Sequence, residues 1–234
     1  MLNRILAGDA ISELKKIRAN SIALCIFSPP YNKHNQSPPN NTTWTGKKNM
    51  RIEYDNTNDD MPEEDYQAWQ TNVIKECLRV IKPNGSVWYN HKPRRIGGYV
   101  RLPTEWISQF KIWQVIIWDR TNTPQVNNFC FFPTVEYIYW IVKHKPKFHR
   151  NRAIFDTEVW RCPPVKNPNH PAPFTPKTVR NIILTCSDKG DIVLDPFCGI
   201  GTVCIEAKRI GRQYIGIDIS KKYVGIARKE IRKV

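Results

Sequence analysis

The sequence predicts an α/β protein built on a mostly parallel sheet with helices on both faces. Three observations predict it. Ile22–Phe27 and Ile192–Asp195 are short apolar runs without polar alternation, the pattern of strands buried on both sides. Helical patterns alternate with such runs along the chain, as crossover connections require. Finally, Gly199-Ile200-Gly201 joins the second run to an apolar-periodic helix that opens at Thr202, so strand, tight turn and helix follow one another where a backbone can approach a ligand closely.

In order, residues 4–6 are expected to form a brief strand, which Gly8-Asp9-Ala10 turns into a helix with Ile11, Leu14 and Ile17 on one face. The strand Ile22–Phe27 stops at Ser28-Pro29-Pro30-Tyr31-Asn32, because two prolines cannot continue a central strand. A rigid loop therefore sits at the C-terminal edge of that strand, where open α/β sheets bind their ligands. Residues 33–61 are polar and aperiodic, a long loop of the functional kind. Pro62 opens an amphipathic helix with Tyr66, Trp69, Val73, Cys77, Leu78 and Ile81 facing inward. Pro83-Asn84-Gly85 stops it, and residues 86–90 read as a strand.

A short helix over 104–110 precedes a strand over 113–118, a polar loop over 121–128 and a strand over Val135–Val142. The two strands, rich in Trp, Tyr and Ile, suit an antiparallel pair at the sheet edge. Residues 143–152 carry seven basic side chains, counting His144 and His149, and residues 161–176 contain six prolines, a linker-like arm. A helix over 178–186 leads into Ile192–Asp195. The Thr202 helix stops near Gly211, a strand over 214–217 ends in Asp218, and a helix over 220–232 closes the chain. An acidic side chain about 20 residues beyond a glycine turn is placed to accept hydrogen bonds from a ribose. There is no internal repeat.

At 234 residues the chain suits one domain spanning 1–234. Its 36 Lys and Arg against 21 Asp and Glu, a formal charge of +15, favour a polyanionic partner. Seven Cys without a Cys-x-x-Cys spacing argue for reduced thiols in the cytoplasm, and no metal site is expected, Cys162 with His170 being the nearest approach to one. No apolar run reaches the ~18 residues of a membrane span, and no signal peptide is expected.

The Ser28-Pro29-Pro30-Tyr31 turn has a specific chemical use. An exocyclic amine on a nucleobase is a poor nucleophile because its lone pair is delocalised into the ring. Two acceptors aimed at its hydrogens pull the nitrogen toward tetrahedral geometry, and the Ser28 hydroxyl and Pro29 carbonyl are such a pair. Tyr31 would stack on a base flipped out of its duplex.

Together with the Asp195 turn, this motif resembles that of the permuted "beta" class of amino-methylating DNA methyltransferases, which use S-adenosylmethionine and in which the catalytic motif precedes the cofactor motif. Gly8-Asp9-Ala10, the segment 78–85, and Asn169-His170-Pro171-Ala172-Pro173-Phe174 with Lys177 resemble further family segments. The resemblance covers most of residues 1–31, 62–91 and 169–222. It implies a Rossmann-like, seven-stranded, mostly parallel sheet in the permuted methyltransferase topology, with the two turns on adjacent strands. It implies catalytic roles for Ser28, Pro29, Pro30 and Tyr31, and a cofactor site made of Asp9, Ala10, Phe174, Lys177, Asp195, Phe197, Cys198, Gly199, Gly201, Thr202 and Asp218. Within that site Asp218 would bind the ribose, Asp9 would lie near the adenine, Phe197 would pack on the cofactor, and Phe174 with Lys177 would cover its methionine part.

The implied partner is double-stranded DNA, with loops 33–61 and 143–169 facing it and Lys47, Lys48, Arg51 and the basic run 143–152 as phosphate contacts. The family's glycine turn usually carries Ser where Ile200 stands. The recognition region before His170 is only about two dozen residues, so site reading would be shared with loop 33–61 or with a second subunit of a homodimer. A companion restriction endonuclease fits the same picture. Ser28 favours cytosine N4 as the methylated atom, since family members with Asp in its place mostly methylate adenine N6. The competing readings are adenine N6, a basic module that only binds single-stranded nucleic acid, and methylation of RNA or of protein glutamine. Asn in place of Ser28 is typical of the protein-glutamine enzymes.

Overall fold

The computed structural model describes residues 2–32, 61–121, 130–165 and 174–234. Residues 33–60 with Lys47, Lys48 and Arg51, and residues 166–173 with His170, lie outside the described residues.

The chain begins with β1 (Arg4–Ala7), α1 (Ala10–Lys15) and β2 (Ile22–Phe27). It continues through α2 (Glu63–Val80), β3 (Ile81–His91), a hairpin of β4 (Arg94–Ile96) and β5 (Tyr99–Arg101), and α3 (Thr104–Ile107). There follow β6 (Ile112–Asp119), β7 (Val135–Val142), β8 (Val159–Arg161), α4 (Pro176–Cys186), β9 (Ile192–Asp195), α5 (Thr202–Arg209), β10 (Gln213–Asp218) and α6 (Lys221–Ile231).

Eight of these strands form one sheet in the order β1-β10-β9-β2-β3-β7-β6-β8. The first five run parallel, β7 runs against β3 and β6 against β7, and β8 lies parallel to β6. The expected mostly parallel Rossmann-like sheet is present, with one more strand than seven. The extra one, β8, holds only three residues, too few to register as a periodic run. Its middle residue Trp160 is buried and stacks on Trp88 and Phe155. The antiparallel pair β6 and β7 is therefore one strand in from the edge.

Helices cover both faces. Alternation along β2 sends Leu24 and Ile26 to the face packed by α4, α5 and α6, and Cys25 and Phe27 to the face packed by α1, α2 and α3. Every residue of β2 is buried, as its unbroken apolar run requires. β3 starts earlier than expected, at Ile81, and the Pro83-Asn84-Gly85 stretch lies within it as a register shift against β2. A Cβ on Gly85 would stand 2.7 Å from the Ala23 carbonyl oxygen, so only glycine fits this approach.

β2 and β9 are neighbours, with Leu24 opposite Val193 and Cys25 opposite Leu194. The Ser-Pro-Pro-Tyr turn and the glycine turn therefore leave adjacent parallel strands at the same edge. The basic run 143–152 does not share that edge. β7 is antiparallel, and Val142 lies opposite Ser86 near the start of β3, so the run emerges at the N-terminal edge of the parallel strands. There the Lys143 ammonium donates to Asn20 and to the Ile81 carbonyl. Lys147 pairs with Asp188 and Asp191, and Arg152 with Asp188. A reversed strand thus carries the run expected to contact phosphates to the edge opposite the catalytic turn, where Lys147 and Arg152 brace the base of the sheet.

Candidate active site

Pro29 and Pro30 end β2 without a ladder partner, and Asn32 follows in the left-handed region at φ 49°. The Asn32 amide is paired twice with the Met61 backbone: its Nδ2 donates to the Met61 carbonyl at 2.8 Å, and its Oδ1 accepts the Met61 N–H at 2.7 Å. Asn32 and Met61, the described residues on either side of 33–60, thus lie side by side next to the turn.

The two proline carbonyls differ. That of Pro30 accepts from the Tyr66 hydroxyl at 2.9 Å and from Gln70 at 3.5 Å. That of Pro29 has no partner among the described residues, so it is available as an acceptor. Ser28 is half-buried, and its Oγ lies 2.7 Å from the Tyr31 hydroxyl. Tyr31 is buried, not free-standing as its expected stacking role suggests, and its ring lies 4.7 Å from that of His91. Its hydroxyl donates to Glu136 Oε2 at 3.2 Å and accepts from Asn90 Nδ2 at 2.9 Å. Asn90 Nδ2 also reaches Glu136 at 2.8 Å, and the Arg120 guanidinium donates to the other Glu136 oxygen at 2.6 Å. Burial lowers the pKa of His91 from its ordinary value to about 3, and the charges of Arg94 and Lys92 act in the same direction.

On the neighbouring strand, Gly199 and Gly201 adopt φ 49° and 90°, left-handed values that glycine takes without strain. A Cβ on Gly201 would also stand 3.0 Å from that of Ala227. Cys198 donates its N–H to the Ile217 carbonyl at 2.8 Å, Thr202 is the first residue of α5, and the Gly201 N–H closes the turn onto the Cys198 carbonyl. Asp195 is buried and accepts the Phe197 N–H at 2.9 Å. Burial holds its carboxyl well above the usual carboxylate range, and the nearby Asp218 charge adds to this. Asp218, half-exposed, accepts the N–H groups of Gly199 and Ser220. Gly8 donates to the Asp218 carbonyl at 3.0 Å, which brings Asp9 and Ala10 beside this edge. Asp9 is exposed and caps α1 through the Ser12 N–H, while Ala10 is buried as its first residue. Phe197 is half-buried between Phe27 at 5.7 Å and Trp69 at 5.5 Å.

These residues suit a ribosylated, positively charged cofactor. Two left-handed glycines shape the turn, Gly201 also packing closely on Ala227, the half-exposed Asp218 carboxylate is oriented by two backbone donors, and Phe197 offers an aromatic wall. Phe174 and Lys177 stand apart from this group. Phe174 stacks on Trp118 at 5.9 Å, and the Lys177 ammonium lies over the Phe155 ring at 5.0 Å. Both lie at the start of α4, which leads down to the beginning of β9, so they share the same edge of the sheet.

Sequence reasoning missed Asn90, Glu136 and Arg120, which lie on or next to β3, β7 and β6; a polar side chain at a buried register of an apolar strand was their only signal. It also missed the hairpin β4–β5, whose signal was Gly97-Gly98 between Arg-Arg-Ile and Tyr-Val-Arg. Arg94 anchors that hairpin to the start of α2 through Glu63, at 2.6 and 3.0 Å. Arg95, Tyr99 and Arg101 are exposed beside it.

Among the described residues no helix is long and apolar enough to cross a membrane, and no three metal-ligating side chains cluster.

Known proteins share both sequence and architecture with this chain. A family model described as DNA methylase, of the N6/N4 type, matches residues 22–229. The type II methyltransferase M.HinfI of Haemophilus influenzae is 31% identical over 100% of this chain and 69% of its own length. The DNA adenine methyltransferase YhdJ of Escherichia coli K12 is 28% identical over 97% of this chain and 82% of its own. Among solved structures, the cytosine-N4-specific PvuII DNA methyltransferase superposes with a TM-score of 0.76 at 17% identity, covering 98% of this chain and 89% of that one. The M1.HpyAVI complex with S-adenosylmethionine gives 0.62 at 22% identity, covering 97% and 98%.

Proposed function

Because the chain belongs to the DNA methylase family, as an S-adenosylmethionine-dependent amino-DNA methyltransferase, we propose that it methylates cytosine N4 in double-stranded DNA through the turn Ser28-Pro29-Pro30-Tyr31. One observation carries this assignment: the turn and the glycine turn leave adjacent parallel strands at one edge, so an amine held by the first faces a cofactor held by the second. Asp218, Gly199, Gly201, Cys198, Thr202, Phe197, Asp195, Asp9 and Ala10 form the cofactor side, and Phe174 and Lys177, set apart on Trp118 and Phe155 at the same sheet edge, are its proposed outer members. When bound, S-adenosylmethionine supplies an electrophilic methyl group on a sulfonium. The protein's own part is positioning: Ser28 Oγ and the Pro29 carbonyl, which has no partner among the described residues, accept the two amine hydrogens, which localises the nitrogen lone pair for in-line attack.

Ser28 supports cytosine, because a neutral hydroxyl suffices for the more readily activated of the two amines. The second reading, adenine N6, draws support from YhdJ, a relative described as an adenine methyltransferase. Incubation with DNA and S-adenosylmethionine, followed by digestion and mass spectrometry of the nucleosides, tests both. N4-methylcytosine is expected; N6-methyladenine alone would replace the base and keep the mechanism, and no methylated nucleoside would reject the function.

The DNA surface we propose is the catalytic edge, including the hairpin β4–β5 with Arg95 and Arg101, rather than the far-edge run 143–152. A homodimer, action on DNA in the cytoplasm and a companion restriction endonuclease complete the proposal. The last is supported by M.HinfI being a type II methyltransferase.

A further inference from the structure

Glu136 lies two hydrogen bonds from Ser28, the nearer links being Tyr31 and Asn90, and so stands one residue behind the groups proposed to hold the amine. It is buried on β7, with Oε1 bonded to Arg120 at 2.6 Å and Oε2 to Asn90 Nδ2 at 2.8 Å and to the Tyr31 hydroxyl at 3.2 Å. A carboxylate offers only lone pairs, and an amide nitrogen only hydrogens. These two facts orient every hydrogen in the chain. The orientation of Asn90 follows from Glu136, since its amide oxygen in place of its nitrogen would face the carboxylate. That oxygen has no partner among the described residues. The single Tyr31 hydroxyl hydrogen goes to Glu136, so the Tyr31 oxygen must accept, from Asn90 at 2.9 Å and from Ser28 at 2.7 Å. The Ser28 hydrogen therefore points inward to Tyr31, one lone pair lies 3.3 Å from Asn90 Nδ2, and what Ser28 turns outward is a lone pair.

We infer that Glu136 is a positioning residue that fixes the direction of this hydrogen-bond chain, so that Ser28 presents an acceptor and never a donor to the exocyclic amine. The inference rests on the proposed role of Ser28. A hydroxyl is ambivalent, and nothing in Ser28 itself prevents its hydrogen from turning outward against the amine hydrogens. A neutral amide at position 136 removes the constraint. Its N–H can donate to Tyr31, the Tyr31 hydrogen then turns to Ser28, and the Ser28 hydrogen turns out toward the amine. The acceptor needed to localise the nitrogen lone pair is then lost with almost no change in shape.

The test is Glu136→Gln, assayed by single-turnover methylation at saturating DNA and S-adenosylmethionine, with cofactor and DNA affinities and Tm measured alongside. The rate should fall by up to about 100-fold, the lower end of the loss when one preorganised polar contact at a reacting centre is removed outright, while both affinities and Tm stay close to those of the parent. Glu136→Asp, which can only accept, should recover part of the rate. In a Tyr31→Phe background, where the relaying hydroxyl is gone, Glu136→Gln should have no further effect on the rate. An undiminished rate in Glu136→Gln, equal impairment by Asp and Gln, or full additivity with Tyr31→Phe would overturn the inference while leaving methyl transfer intact. Absence of any methylated base with the parent protein would instead overturn the proposed function, and this inference with it.

Discussion

The Asp218 carboxylate accepts the Gly199 N–H at 2.8 Å and so ties the end of β10 to the glycine turn after β9. One oxygen orients the turn and the other accepts the Ser220 N–H, and the carboxylate is half-exposed. Replacing Asp218 by Ala should weaken S-adenosylmethionine binding by about 1–3 kcal/mol, the cost of stranding polar partners. It should lower Tm as well, since two backbone donors lose their acceptor. Calorimetry giving parental cofactor affinity would take Asp218 out of the site.

Ser28→Ala and Tyr31→Ala should each remove most turnover while cofactor affinity, measured by calorimetry, is retained. Tyr31→Phe separates two roles. It keeps the ring beside His91 and loses only the hydroxyl that joins Ser28 to Glu136, so its turnover should fall less than that of Tyr31→Ala. Equal losses in the two Tyr31 variants would assign the whole effect to the hydroxyl.

DNA affinity should respond to the hairpin and not to the far-edge run. Arg95→Ala or Arg101→Ala should reduce the slope of log affinity against log salt by about 0.9 for each phosphate contact removed. Lys147→Ala should leave that slope unchanged and lower Tm instead. The hydrogen bonds from Lys147 and Arg152 hold the Asp188 carboxyl well below the usual carboxylate range, so that contact stabilises the fold above ordinary carboxylate pH and is lost on acidification. A slope that changes for Lys147→Ala and not for the hairpin variants would return the DNA contact to the basic run.

His91 should make stability fall on mild acidification. Its folded pKa of about 3 lies below the ordinary value of 6.5, so the unfolded chain takes up the proton first as pH falls. Stability from this group is complete above about 6.5 and is lost as pH drops toward 3, with a limiting slope near 1.4 kcal/mol per pH unit. Urea titrations between pH 7 and 5 should show this slope in the parent and a shallower one in His91→Gln. Parallel curves would show that His91 is already free to protonate in the fold.

The sequence by itself determined the elements whose cause is local. The unbroken apolar run Ile22–Phe27, the prolines that end it, and the glycine turn before Thr202 each restrict their own backbone, and β2, β7 and β9 have the bounds their residues predict. Two ordered motifs were likewise enough to imply the family. Tertiary structure decided what depends on which strands pair and in which direction. Antiparallel pairing of β7 with β3 carries the basic run to the edge away from the catalytic turn, although its charges read the same in either place. The same pairing sets Glu136 within reach of Tyr31, 105 positions away in the chain, and turns an unremarked acid into the anchor of the site's hydrogen bonds. Composition and periodicity record what each residue prefers locally, whereas hydrogen-bonded register between distant strands is a property of the closed sheet.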